Sequence, residues 1–512
     1  MIRIWAFVLM AGCALAAESL SYTAPRWDDA GRAARIEAVL PRLDEIYASH
    51  ATSNHIPGYV YGVVVDGRLI HVRSAGSATL NPERPVTEET RFRIASMTKS
   101  FTAMAILKLR DAGKLSLEDP VERWIPQFSR VKPPTTDSPK ITLRHLLRMS
   151  AGFPQDDPWG DRRLADTVRQ LEDLVSGGLA FSNPPGVTWE YSNLGYGLLG
   201  QVVTRASGRP FQEYITREIL RPLDMTNTVW EFTKVPDGRM AQGYRWENDH
   251  WREEPLLHDG TFGAMGGLIT TVGDFSRYVA FHLDAWPPRN GPDPGPVRRS
   301  TRREMHRPAE VLSVITNSFT LDGTPDPRVA GYSFGLSWNQ DARGVIWLRH
   351  GGGLPGFGSE HRFLPDYGIG LVAFANRTYA PMTAANAAAM EVLLGAARIP
   401  PRQAVASPLL ERRAAQVASI LQTWDAAEMA DALAPNVFQD RDLSDWKTMS
   451  AETLSLCGKI QSVSELRPEN QLRGRFDLIG ERGVVEVFFT MMPEAVPRVQ
   501  EIKLTPKPRS GL

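Results

Sequence analysis

The chain has 512 residues, 42% of them apolar and 23% charged, with 58 basic side chains against 58 acidic ones. That length can bury a large core and leaves room for roughly two to four domains. A formal net charge of zero, with no long run of one sign, gives no electrostatic footprint for a nucleic acid.

The N-terminus reads as a targeting segment. Arg3 gives a basic start, Ile4 to Leu15 an apolar stretch, and Ala14-Leu15-Ala16 the small residues of a cleavage position. The stretch is too short to stay in a bilayer as a spanning helix. Residues 1–16 are therefore expected to be a secretory signal peptide, sending the chain to the periplasm or the medium. Met10-Ala11-Gly12-Cys13 offers a second option, a lipoprotein box with a lipid anchor on Cys13, though methionine is not the favoured first residue. No other apolar run is long enough to span a membrane. With Cys13 in the leader, Cys457 is the one cysteine of the mature chain, expected as a lone buried thiol. No internal disulfide and no cysteine metal cluster can form.

Residues 26–49 read as an amphipathic helix with Ile36, Leu40, Leu43, Ile46 and Tyr47 on one face. Tyr59 to Val65 and Arg68 to Arg73 read as strands, and Asp66-Gly67 between them is a strong hairpin signal. Phe92-Arg93-Ile94 then leads to Ser96, which opens a helix through Phe101, Met104, Ile106, Leu107 and Leu109. Lys99 lies one turn after Ser96, so its amine can reach the hydroxyl. A serine attacks only when a base takes its proton, and a lysine can be that base if burial or charge lowers its pKa. The helix N-terminus adds N–H groups suited to a developing oxyanion. Alone the pattern is weak, because a serine here is as readily an N-cap.

Thr142 to Gly152 reads as a helix stopped by glycine. His145 within it is assigned a packing role, since no G-x-S-x-G elbow pairs it with Ser150. Pro184-Pro185-Gly186 turns into Trp189-Glu190-Tyr191-Ser192-Asn193, on a loop ahead of an apolar helix over residues 197–206. Tyr191 and Asn193 can face one pocket from there. Gly266-Gly267-Leu268 precedes a helix starting near Asp274, residues 287–296 form a surface loop, and Arg298 to Arg307 reads as one solvated basic helix face. Late strands follow over residues 332–338, 344–348, 360–365 and 369–376, with Arg349-His350-Gly351-Gly352-Gly353 among them, then a helix over 381–394. Two early strands and about three late ones flank a helical middle. The economical fold is one antiparallel sheet assembled from both ends, with helices on its faces. Residues 398–408 form a linker. Beyond it, a helix over 409–434 and four strands between Ser462 and Thr505 suggest a small α+β accessory domain, residues 409–506, of the NTF2-like kind.

Ser96-x-x-Lys99, Tyr191-Ser192-Asn193 and His350-Gly351-Gly352 stand in the order and approximate spacing of the penicillin-recognising serine hydrolases. The chain most resembles the class C β-lactamase-like family, which also holds D-alanyl-D-alanine carboxypeptidases, D-aminopeptidases and esterases. The flanks are similar too: the helix end at Leu146 to Gly152, Pro185-Gly186, Arg221-Pro222-Leu223-Asp224-Met225, Gly266-Gly267-Leu268, and His350 through Gly356-Phe357. The resemblance covers roughly residues 30–397, within an expected hydrolase domain of residues 26–397. It implies an α/β (α+β) fold of the β-lactamase/transpeptidase type, with a helical subdomain.

The resemblance also implies roles. Ser96 would be acylated, with Lys99 and Tyr191 jointly moving its proton. Asn193 would bind substrate and position Lys99. The backbone N–H groups of Ser96 and Gly353 would form the oxyanion hole, beside His350 and Gly352 in substrate binding. The departure is at the third motif, where β-lactamases usually carry K-T-G and this chain has histidine and glycines. A mostly neutral imidazole replaces a permanent cation, which lowers the expectation of efficient β-lactam hydrolysis. Trp230, Tyr244, Trp246 and Trp251 hint at an aromatic wall but fit core or lid packing better. The expectation is an exported serine hydrolase without metal or cofactor, acting on a small ester or on an amide or peptide with a D-residue. Its rivals are a β-lactamase, a D-alanyl-D-alanine carboxypeptidase, and a catalytically silent penicillin-binding-like protein.

Overall fold

A computed structural model describes residues 22–157, 159–320 and 323–507. The chain divides into two compact units, Asp29–Pro401 and a second one formed by the chain from Arg402 onward together with residues 22–28. The expected leader and Cys13 lie outside the described residues.

The larger unit is built on a nine-stranded antiparallel sheet. Its order runs Glu83–Pro85, Arg68–Leu80, Gly58–Val65, Ile369–Ala375, Phe357–Leu364, Ile346–Leu354, Ser337–Asp341, Arg328–Tyr332, Glu310–Ile315. The two ends of the domain meet at its centre, with Tyr59 opposite Ala375 and Val65 opposite Ile369. Asp66 and Gly67 turn the first hairpin with φ of 50° and 77°, the left-handed pair that a two-residue turn requires. The sheet has more strands than the sequence pattern suggests. Glu83–Pro85 and Glu310–Ile315 are the short, partly exposed edge strands, Arg328–Tyr332 lies just inside the second of them, and the alternation of all three is weak.

Every residue of Gly58–Val65, Phe357–Leu364 and Ile369–Ala375 is buried, because helices cover both faces. On one face lie the helices Arg32–Ser53 and Met382–Gly395, whose Ile36, Leu43, Tyr47, Ala389 and Leu393 pack on the sheet. On the other lie Lys99–Asp111, Asn193–Ser207 and Val272–Leu283, with Phe101, Met104, Leu198 and Phe275 in one core. Each such side chain contributes about 1.5–3 kcal/mol by leaving water. The helix Lys99–Asp111, which follows Ser96, is thus held within this core, with Phe101 and Met104 buried in it.

Two expectations need correction here. The first helix begins at Arg32, and the residues before Asp29 belong to the other unit, where Arg26 and Gln403 exchange backbone hydrogen bonds of 3.0 and 2.8 Å. The basic stretch after Arg298 is not one solvated face. In the helix Arg299–Met305, Arg302 is fully buried, donating to the Phe281 carbonyl and facing Asp284 and Asp293 at 3.2 and 3.4 Å. Its partners are distant in sequence, so periodicity could not reveal them.

Among the described residues, the smaller unit has three α-helices, Pro408–Thr423, Ala426–Ala432 and Leu443–Cys457, and an antiparallel sheet of Ile460–Val463, Arg467–Asn470, Arg473–Gly480, Val484–Met491 and Val499–Lys507. The single helix expected over 409–434 breaks at Trp424, whose φ is 53°. Asp425 then caps the next helix, its Oδ1 accepting from the Ala427 and Glu428 N–H groups at 3.0 and 2.9 Å. Cys457 is buried and unbridged.

Three imidazoles are buried where the helix Val272–Leu283 meets the sheet. Trp286 Nε1 donates to His306 Nδ1 at 2.8 Å, so His306 Nε2 carries the hydrogen shared with His282 Nδ1 at 2.7 Å. The His361 ring lies beside Phe363, with centroids 6.2 Å apart. Burial holds His306 and His361 at about 3, and His282 well below the ordinary value of 6.5. The unfolded chain binds these protons first. Stability is therefore complete above pH 6.5 and falls as pH drops towards about 3. Unfolding free energies from urea titrations between pH 7 and pH 4 should decline, with their midpoints, by up to about 1.4 kcal/mol per histidine per pH unit, and His306→Gln should flatten the slope. Midpoints that stay constant over this range would contradict the assignment.

Candidate active site

The site begins with a bend in the chain. Ala95 has φ of 49°, a left-handed conformation uncommon outside glycine, and it turns the strand Phe92–Arg93 into the tight turn Ala95–Thr98. That turn runs directly into the helix Lys99–Asp111. Ser96 stands at the turn with 7% of its surface exposed, while Lys99 has none.

Lys99 Nζ stands 3.0 Å from Ser96 Oγ, 2.7 Å from Asn193 Oδ1 and 2.9 Å from the Met265 carbonyl oxygen. Asn193 Oδ1 and the carbonyl can only accept, so they take two N–H bonds. A neutral amine has two hydrogens, and its lone pair then faces the serine hydroxyl. Burial lowers the Lys99 pKa to about 8, against the opposing pull of Asp157, Asp161 and Asp156. Deprotonation near neutral pH is thereby accessible.

Tyr191 and Asn193 come from the start of the next helix. Ser192 caps it, its Oγ accepting the Gly195 N–H at 3.1 Å, so Asn193 is the first helical residue. The Tyr191 phenol lies beside the Ser96 hydroxyl, which eases its pKa down slightly, and Lys99 Nζ lies 4.9 Å from the centre of its ring. Burial, and then the Asp157 charge, push this phenol well above its ordinary value. It therefore rests protonated, as a carrier of a proton rather than a standing base.

The third wall is the strand Ile346–Leu354. The strand Ser337–Asp341 pairs with it only from Ile346 to Arg349, so residues 350–354 have no neighbour on that edge among the described residues. Gly352 sits against the chain that carries the serine. A Cβ there would lie 2.2 Å from the Ile94 carbonyl oxygen and 2.3 Å from Ser359 Oγ. Gly353 lies against Tyr379, whose Cδ1 would be 2.5 Å from an added Cβ. His350 stands behind the tyrosine, its ring 6.3 Å from that of Tyr191. Its Nδ1 donates to the Gly351 carbonyl at 2.6 Å, and its Nε2 faces Tyr332 Oη at 3.5 Å. Burial, then the nearby Lys99, lower its pKa to about 3. The imidazole is neutral and turned inward, so it shapes the wall behind Tyr191.

Ser96, Lys99, Tyr191, Asn193, His350 and Gly352, from three distant segments, thus converge, with Gly353 next along the strand. His145 lies apart, its Nδ1 accepting the Thr142 N–H at 3.1 Å in a helix cap. The aromatic residues of the middle segment pack structurally. Trp230 Nε1 donates to Thr216 Oγ1 at 3.1 Å, Tyr244 Oη accepts the Leu80 N–H at 2.7 Å, and Trp246 stacks on His55 and meets Trp251 edge-on.

Several neighbours escape a reading of the sequence. Asp156 accepts the Asn193 and Leu194 N–H groups at 2.7 Å each, and Asp157 accepts from Asn193 Nδ2. Asp161 accepts from Tyr379 Oη at 3.0 Å, and burial raises its pKa to about 6. Three aspartates within six residues, on a loop beside Trp159 and Gly160, were the available signal. The Met265 carbonyl gave none, being backbone.

Residues 43–394 match the family model described as Beta-lactamase, and the chain belongs to that family. It is 28% identical over 352 residues to "Protein flp" of Staphylococcus aureus (strain COL), covering 66% of this chain and 64% of that protein. It is 26% identical over 367 residues to "Beta-lactamase-like protein 2" of Dictyostelium discoideum, covering 70% of this chain and 63% of that one. The match therefore spans under two thirds of either relative. Among solved structures, it resembles a penicillin-binding protein from Bacillus halodurans, with TM-score 0.54, 25% identity, and 69% and 98% of the two chains covered. It also resembles the octameric penicillin-binding protein homologue from Pyrococcus abyssi, with TM-score 0.58, 19% identity, and 91% and 98% covered. Fold and family are those of the penicillin-recognising serine hydrolases.

The glycine strand yields a direct test. Gly352→Ala should lower stability by about 1–3 kcal/mol, because a backbone oxygen blocks the new methyl. Gly351→Ala, whose Cβ would meet Thr383 Oγ1 at 3.4 Å and the Ser359 carbonyl oxygen at 3.8 Å, both ordinary contacts, should cost far less. Denaturant midpoints check this, and equal losses at both positions would contradict the close approach.

Proposed function

We propose that the chain is an exported serine hydrolase that works through an acyl-enzyme on Ser96. The observation that carries this reading is the Lys99 amine, two of whose hydrogens are taken by fixed acceptors while its third direction meets Ser96 Oγ at 3.0 Å. An amine kept only for structure would not need a nearly enclosed hydroxyl beside it.

In this mechanism Ser96 Oγ bonds to the substrate carbonyl carbon as its proton passes to Lys99 Nζ. The carbonyl electrons move onto oxygen, which is held by the N–H groups of Ser96 and Gly353. Collapse of that intermediate breaks the bond to the leaving group. Tyr191, protonated at rest, hands the leaving group a proton and is reprotonated from Lys99. Water then attacks the acyl-enzyme by the reverse relay and frees the acid. Asn193 keeps Lys99 aimed and offers its amide to the substrate.

The substrate is a carboxylic ester, or an amide or peptide bearing a D-residue. The inward, neutral His350 supports this choice over a β-lactam or a peptide read through its terminal carboxylate, since it supplies no cation there. The apolar stretch before Ala16 supports export. The convergence of hydroxyl, amine and phenol speaks against a silent binding protein.

A fluorophosphonate should label the native protein on Ser96, and Ser96→Ala should abolish the labelling. Lys99→Met and Tyr191→Phe should each slow it by about 10²–10⁴-fold with the fold intact. Mass spectrometry of the labelled peptide reads the result. Labelling that survives Ser96→Ala, or a native protein that takes no label, would overturn the reading.

A further inference from the structure

The loop of residues 156–161 closes on one side chain. Asn193 has no exposed surface, and this loop meets it from three sides. Asp156 accepts its backbone N–H at 2.7 Å, and Asp157 Oδ1 accepts from its Nδ2. A Cβ on Gly160 would lie 2.5 Å from Asn193 Cβ and 2.9 Å from Nδ2, so the loop backbone passes directly over the amide. Asp156 also holds the Leu194 N–H, and Asp161 is buried against Tyr379 Oη. Asp157 is the exposed one of the three aspartates.

An amide has nearly the same shape either way round, and its partners decide which end points where. Here Oδ1 takes a hydrogen from Lys99 Nζ at 2.7 Å, while Nδ2 gives one to a carboxylate, which can only accept. Turned round, Oδ1 would face Asp157, acceptor against acceptor. Nδ2 would then donate into the lone pair of Lys99, the lone pair that the Ser96 proton has to reach. Asn193 therefore supports the amine in one orientation and blocks it in the other. Lys99 cannot make that choice, because a neutral amine accepts as well as donates.

We infer that Asp157 is a positioning residue for the acylation of Ser96: it holds the Asn193 amide with its oxygen towards Lys99 and so keeps the amine's lone pair for the serine proton. This rests on the serine-hydrolase reading above. Asp157 acts through Asn193 and makes no hydrogen bond to the serine or the lysine. Its charge also favours the protonated amine, so aim and charge have to be read apart. The other titratable groups around Lys99 are Asp156, Asp161, Tyr191, Tyr196 and His350, and they are the same in every variant below.

Second-order rates of fluorophosphonate labelling on Ser96, followed from pH 6 to pH 10, separate the two. The midpoint reports the charge state of Lys99, and the plateau above it reports how well the neutral amine is aimed. Asp157→Asn keeps the size of the side chain but accepts or donates, so Asn193 can settle either way round. Its midpoint should fall below the native value of about 8. The fall should be roughly half to one pH unit, and the plateau should drop by about tenfold or more. Asp157→Glu restores both acceptor and charge and should recover most of the plateau. Urea midpoints should barely differ, since the side chain is exposed. Should Asp157→Asn fail to fold, Asp157→Ala, which also lacks the acceptor, takes its place. A plateau that stays native overturns the inference even if the midpoint moves, and so does an Asp157→Glu plateau as low as that of Asp157→Asn. In either case labelling of the native protein on Ser96 leaves the hydrolase reading standing. A native protein that takes no label removes both.

Discussion

The structure turns on one buried amine. Lys99 has no exposed surface, and what holds it there is a pair of acceptors that cannot donate back, the Asn193 amide oxygen and the Met265 carbonyl. Burial alone would drive the amine far towards the neutral form. The three aspartates pull the other way, and the balance at about 8 leaves it able to take a proton and to give one up. A structural lysine would be stabilised by a closer carboxylate. Here the aspartates act through space or through Asn193, and the nearest oxygen with its own proton to lose is that of Ser96.

The rest of the larger unit fixes the distances around that amine. Ser96 and Lys99 share one turn because the left-handed Ala95 swings the chain from strand into helix. Asn193 arrives at a helix start secured by Ser192 from within and Asp156 from outside. The glycine strand can come close because Gly352 offers no Cβ to the Ile94 carbonyl. Ser359 on the next strand closes the same contact, its Oγ donating to that oxygen at 2.8 Å. Sheet, turn and glycine edge therefore form one rigid frame, and the mobile chemistry is confined to protons.

Much of this was legible in the sequence where the signal is local. Asp66-Gly67 announced its hairpin through the backbone angles such turns need. Ser96 and Lys99 announced themselves by helical spacing, and Tyr191 and Asn193 by their place on a loop entering an apolar helix. The order of these segments pointed to the family and its sheet. What stayed hidden depends on long-range packing. The edge strands are too short to alternate, and Arg302 looked solvated because Asp284 and Asp293 come from another loop. The Met265 carbonyl is backbone and leaves no trace in side-chain pattern. Asp161 and Tyr379 are 218 positions apart, and their pairing exists only once the glycine strand is in place.

The measurement closest to the central claim is the pH dependence of Ser96 acylation at a fixed fluorophosphonate concentration. A neutral Lys99 must take the serine proton, so the rate should climb with pH and level off, with its midpoint at about 8. A midpoint near 10, the range of a solvated lysine, or a rate that is flat between pH 6 and 9, would contradict the account.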